Sequence, residues 1–111
     1  MKLIYVAGPY RGKGDNDVWQ HIMAARYWAR CLWEKGWAVF CPHTNTLFMD
    51  GPEIPVASFL DGDLEILRRC DAVFMVPGWE GSKGASAERD RADELLLPVY
   101  YDLSEIPDGR G

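Results

Sequence analysis

Glu88 closes the stretch SKGASAE at residues 82–88, between the apolar run VFMVPGW and the charged segment RDRADELLLPVYY. A carboxylate held beside small residues offers acid–base or nucleophilic chemistry, because Ser82, Gly84 and Ser86 let a ligand come close to the backbone. The competing reading is structural. A helix starts near Glu88, and acidic side chains favour helix N-termini through the macrodipole alone. Asp63, in DGDLEIL with Asp61 and Glu65 close by, carries the same two readings.

The loop GPYRGKG after the first apolar run is a third feature, since glycine-rich turns approach phosphates with backbone N–H groups. Gly8, Gly12 and Lys13 match neither G-x4-G-K-[ST] nor G-x-G-x-x-G, so a flexible loop stays an open explanation. Arg11, amid glycines, can grip two oxygens of an anion at once. Tyr10 lies in the loop and could stack a flat base. Tyr5 alternates with core residues, although its hydroxyl could reach the loop end of the strand. His43 follows the second apolar run as either a satisfied loop histidine or a binding residue.

These residues are positioned by alternating strands and helices. KLIYVAG is a buried strand ended by Gly8-Pro9, and WAVFCP is a second. Between them Asn16–Lys35 is predicted helical, with Val18, Ile22, Ala25, Ala29 and Leu32 on one face and Gly36 as the stop. A proline-bearing loop from His43 to about Ala57 follows, then a helix from about Ser58 to Arg69 with Phe59, Leu64, Ile66 and Leu67 on or near its buried side. DAVFMVP, GASAERDRADELL and LPVYYD complete the order as strand, helix and strand, and 103–111 is expected to be a surface tail. Continuous apolar strands separated by helices imply an α/β, Rossmann-like or flavodoxin-like fold. Its four parallel strands are expected in the order 2-1-3-4, doubly wound with helices on both faces. Ligands bind such sheets beyond the carboxyl ends of the strands, where the loops above all fall.

Composition narrows the partners. At 111 residues, 48% apolar and 26% charged, the chain is one ordinary globular domain. A net charge of −5 argues against a nucleic-acid polymer as partner, which needs clustered Lys and Arg. No apolar run reaches the roughly 18 residues of a membrane helix, and MKLIYVAGPY is broken too early for a signal peptide. Cys31, Cys41 and Cys70 lie in apolar segments without a C-x-x-C, as small core residues of a reducing cytoplasm. Cys41 and His43 have no second ligand pair, with His21 the one other histidine, so no structural zinc is expected. Trp19, Met23 and Trp33 widen the apolar face of helix 16–36, which suits a homodimer interface as well as a well-covered helix.

Taken in order, YVAGPYRG, GDLEILRRCDAVF and Ser82-x-Gly84-x-x-x-Glu88 resemble the nucleoside 2-deoxyribosyltransferase family over roughly residues 3 to 100, and above all its branch of 2′-deoxynucleoside 5′-monophosphate N-glycosidases. A phage-associated family of unassigned function, which has the same PH-x-N after strand two, looks closer still. The resemblance implies that Glu88 is the nucleophile at C1′ of a deoxyribose, Asp63 the acid that protonates the departing base, and Tyr5 a neighbour of nucleophile and sugar. It implies 5′-phosphate contacts for Arg11, Gly12 and Ser82; Gly8, Tyr10, His43, Gly84 and Ser86, at the same loops, are expected to line the substrate site. No metal or cofactor is implied. The alternative on the same fold is a nucleotide- or nucleotide-sugar-binding module without turnover.

Overall fold

Along β1 (Leu3–Ala7), alternation sends Ile4 and Val6 into one core cluster and Tyr5 and Ala7 into another, all four fully buried. β3 (Ala72–Met75) divides its side chains the same way, with Ala72 and Phe74 opposed to Val73 and Met75. A strand apolar on both faces needs cover on both. In the computed structural model, which describes Met1–Gly111, the cover is helical. α1 (Asp15–Glu34) packs Ala25, Ala29 and Leu32 against the Ile4–Val6 side. The other side is closed by α3 (Val56–Leu67) and α4 (Lys83–Glu94), through Leu67, Ala85 and Ala92.

β2 (Ala38–Phe40) and β4 (Val99–Tyr100) complete a four-stranded parallel sheet in the order β2-β1-β3-β4. The topology is the expected one. Gly36, at φ +86°, ends α1 in the left-handed region where glycine carries no Cβ penalty.

Two segments differ from expectation. The long loop after β2 begins with a short helix, α2 (Pro42–Asn45), where Pro42 supplies a helical φ at the first position. Within α3 only Leu67 is buried; Phe59, Leu64 and Ile66 are half-buried and Val56 and Leu60 exposed, because only the last turn reaches the Leu67–Cys70 cluster.

The surface tail is a correction. Ile106 is buried at 4% exposure and joins the α1-side core, and Trp37, at 1%, donates its indole N–H to the Pro107 carbonyl at 2.8 Å. Gly109 lies flat on the α1–β2 turn, where a Cβ would sit 2.7 Å from Gly36 and Trp37 backbone atoms. The segment looked polar in sequence, but Trp37 needed both an apolar lid and an acceptor, and residues 106–109 supply them.

Candidate active site

Tyr5 stands on the α3–α4 side of β1, in register with Phe40 on β2 and Val73 on β3, its ring centroid 5.5 Å from that of Phe40. Its hydroxyl donates to Oε2 of Glu88. Glu88 comes from α4, whose N-cap is Ser82: its Oγ accepts the Ala85 N–H at 3.1 Å. The helix therefore begins at Lys83, and Glu88 is in its second turn, not its first. Ala85 and Ala92 are the buried residues of α4, and Glu88 falls between them on the same stripe, where an apolar side chain would ordinarily sit. Asp63 repeats the pattern on α3. It lies four residues before buried Leu67 and well inside a helix that starts at Val56. The macrodipole accounts for neither acid.

Burial sets the electrostatics. The Glu88 carboxyl is pushed up to about 7, chiefly by desolvation; the Tyr5 hydrogen bond works in the opposite direction and the Asp63 charge adds to the rise. Asp63 is pushed up to about 6 by desolvation. Tyr5 is raised well above the ordinary phenol, by burial first and then by the Glu88 and Asp63 charges. Three titratable groups from three elements thus feel one another in a largely apolar setting. The acids differ in one respect: Glu88 has a hydroxyl donor that favours its ionised form, and Asp63 has none among the side-chain hydrogen bonds. The stripe position of Glu88 and Asp63 is the signal that sequence reasoning passed over, because it took both for residues near a helix start.

The remaining candidates lie along the loop after β1. Gly8 is dictated by packing, since a Cβ there would come within 2.8 Å of the Val76 Cβ. Gly12 approaches α1 so closely that a Cβ would overlap Asp17 at 2.2 Å, and the Asp17 carboxylate accepts the Lys13 N–H at 2.8 Å. One N–H of the glycine loop is therefore already taken by a carboxylate of the chain itself. Arg11 is exposed and enters none of the ion pairs. Tyr10 is 47% exposed and walls an open hollow of about 380 Å³ with Trp19, Leu47 and Phe48, and Asp15 and Asp50 also line it.

His43 is not on the open surface. It is 6% exposed, with its ring 5.5 Å from that of Tyr10. Burial lowers its pKa. Ser82 accepts as a cap and keeps its O–H to donate, Gly84 faces open space with only Ser82 Oγ within 4.0 Å, and Ser86 is half-buried in the first turn of α4. Burial raises the thiol of Cys41, the residue after β2, and the Glu88 charge adds to the rise.

The chain is a small α/β domain, a parallel sheet with helices on both faces, with Tyr5, Asp63 and Glu88 on its α3–α4 side. Residues 2–101 match the model of the domain of unknown function DUF4406, and the chain belongs to that family. Among solved structures, it is similar to the 2-deoxyribosyltransferase of Bacillus psychrosaccharolyticus, with a TM-score of 0.61 and 22% identity over 87% of this chain and 69% of that one. It is also similar to the 2-deoxyribosyltransferase of Leishmania mexicana, with a TM-score of 0.60 and 19% identity over 89% of this chain and 62% of that one. The two likenesses establish the shared fold. Among curated proteins the sequence finds no match.

Proposed function

We propose that the chain cleaves the N-glycosidic bond of a 2′-deoxynucleoside or its 5′-monophosphate, by hydrolysis in preference to base transfer. One observation carries the reading: two carboxyl groups with raised pKa values lie on the Tyr5 side of the sheet, and the Tyr5 hydroxyl donates to one of them, which favours its ionised form against the burial that raises it. The glycosidic bond breaks through an oxocarbenium-like centre, so a carboxylate beside C1′ stabilises positive charge and can bond to it. Glu88 attacks C1′ as the C1′–N bond breaks, and Asp63 gives its proton to the departing base nitrogen. Water then adds to C1′ of the sugar ester, its proton returning to Asp63 as Glu88 leaves. The structural neighbours, both 2-deoxyribosyltransferases, support this substrate class. Arg11, exposed and without an ion pair, suits the 5′-phosphate, and the aromatic walls beside Tyr10 suit a flat base.

The test is chromatography of deoxynucleoside monophosphate mixtures after incubation. Free base released by wild type and not by Glu88→Gln supports catalysis; release from none of the mixtures leaves a binding module.

The homodimer belongs to the same proposal. Trp19, Met23 and Tyr27 form an outward stripe on α1 and are 50%, 41% and 60% exposed, an apolar face suited to a second copy. Sedimentation should show a dimer that Tyr27→Glu converts to monomer; a monomeric wild type ends that part of the proposal.

A further inference from the structure

The chain has two histidines, and both grip the same loop. His43 on α2 lies with Nε2 2.7 Å from the Pro9 carbonyl, and His21 on α1 lies with Nδ1 3.0 Å from the carbonyl of the next residue, Tyr10. A carbonyl only accepts, so the ring nitrogen at each contact must carry the proton. That assignment leaves Nδ1 of His43 bare, and it is buried without a partner. A buried imidazole with an orphaned nitrogen is a poor choice for packing alone: a phenylalanine of similar shape would leave no ring nitrogen unsatisfied. The feature that repays the histidine is its donor to Pro9.

A third contact completes the pattern. The Asp17 carboxylate takes the Lys13 N–H at 2.8 Å, so the loop is held at residues 9, 10 and 13 from two helices. Arg11, inside that span, is exposed and joins none of the side-chain hydrogen bonds or ion pairs. The loop backbone is fixed on both sides of Arg11, whose guanidinium is left uncommitted, as is the Lys13 ammonium at the loop's end.

We propose that His21 and His43 form a paired clamp that positions the Pro9–Gly12 loop and thereby presents Arg11 to the anionic end of the substrate. The histidines do not touch the anion; they are positioning residues. A guanidinium on a pre-formed loop gives up less freedom on binding than one on a mobile loop, which is how the clamp acts on affinity. The link to a 5′-phosphate rests on the proposed function, whereas the clamp itself does not.

The test has two arms. In the first, trypsin cleavage is timed at Arg11 and Lys13 and compared with cleavage at Arg68 and Arg69 on the far side of the sheet. His43→Phe should speed cleavage at Arg11 about tenfold relative to those reference sites. His43→Gln, whose amide nitrogen can reach Pro9, should return it to within about twofold of wild type. His21→Leu and His21→Asn form a matching pair, expected at about threefold and near wild type, and they carry the test if His43→Phe does not fold. Equal acceleration at every site, or no recovery with the amide variants, overturns the clamp.

In the second arm, the ratio of KM for a deoxynucleoside 5′-monophosphate to KM for the phosphate-free nucleoside should rise about tenfold in His43→Phe, with recovery in His43→Gln. An unchanged ratio, with the first arm positive, overturns the presentation of Arg11 and leaves the clamp standing. Absence of base release by wild type defeats the proposed function, and the trypsin arm still decides the clamp.

Discussion

The two ends of β1 are built on opposite principles. At its start, polar groups are paired and glycine lets backbones touch. Lys2 N–H donates to Gly109 at 2.9 Å, Gly109 N–H to Lys35 at 2.9 Å, and the Trp37 indole to Pro107 at 2.8 Å. On the other side, the stripe positions of two helices hold carboxyl groups, and buried Tyr5 donates to one of them. One end satisfies its groups and stabilises the fold. The other accepts desolvated acids, a choice that has no folding rationale and that the proposed function would use.

The sharpest way to break this contrast is to neutralise the acids. Glu88→Gln should lower base release by more than about a thousandfold, and Asp63→Asn by about a hundredfold or more, since a nucleophile and a general acid contribute on that scale. Both variants should fold. Chromatographic assay of free base measures the loss, and a variant of either acid with wild-type turnover would remove that end of the strand from the chemistry.

The opposite substitution belongs at the other end. Trp37→Ala empties a fully buried site and orphans Pro107, so urea unfolding should show a loss of about 3–5 kcal/mol. The kcat of the molecules that remain folded should hold near wild type. A drop in kcat matching the loss at the acids would mean that the two ends are not separable.

Much of this arrangement was legible. The uninterrupted apolar strands and the period of α1 led to the sheet order and to the face that α1 buries, because burial on both faces leaves few topologies. Tyr5, Asp63 and Glu88 emerged through an ordered resemblance, not through pattern. The pattern was nonetheless present in Ala85–Glu88–Ala92, and was obscured because small alanines mark a buried stripe weakly. Residues 103–111 were illegible for a different reason. Their docking depends on the hydrogen-bonding need of Trp37, some seventy positions away. The histidine clamp was equally hidden, since carbonyl acceptors have no side-chain signature.

A subtler effect separates the ends by stability against pH. Glu88 moves from an ordinary 4.5 to about 7 on folding, so the native state holds its proton more tightly. That contribution is fully present below about pH 4.5 and is lost as pH rises through about 7, where the chain must keep a desolvated charge. Glu88→Gln removes the charge while its amide oxygen can still accept from Tyr5. The variant should match wild type in acid and exceed it by on the order of 1–3 kcal/mol near pH 8. Paired urea titrations measure the gap, and a gap that closes with rising pH would show that Glu88 is not buried as a carboxylate.

The smallest effect concerns Tyr5 and discriminates most finely. The proposed mechanism needs Glu88 ionised and Asp63 protonated, yet Asp63, at about 6, loses its proton before Glu88, at about 7. The productive pair is then the minor arrangement of a single shared proton, and kcat/KM should follow a bell whose limbs, at about 6 and about 7, belong to the pair. Tyr5→Phe removes the donor that favours the Glu88 carboxylate. The last proton leaves the pair from Glu88, so the alkaline limb should move up, by about one unit at most. The productive arrangement becomes rarer, and the peak should fall by about tenfold. An alkaline limb that stays in place or moves down in Tyr5→Phe would mean that the hydroxyl does not stabilise the carboxylate, and that the proposed site is assembled without it.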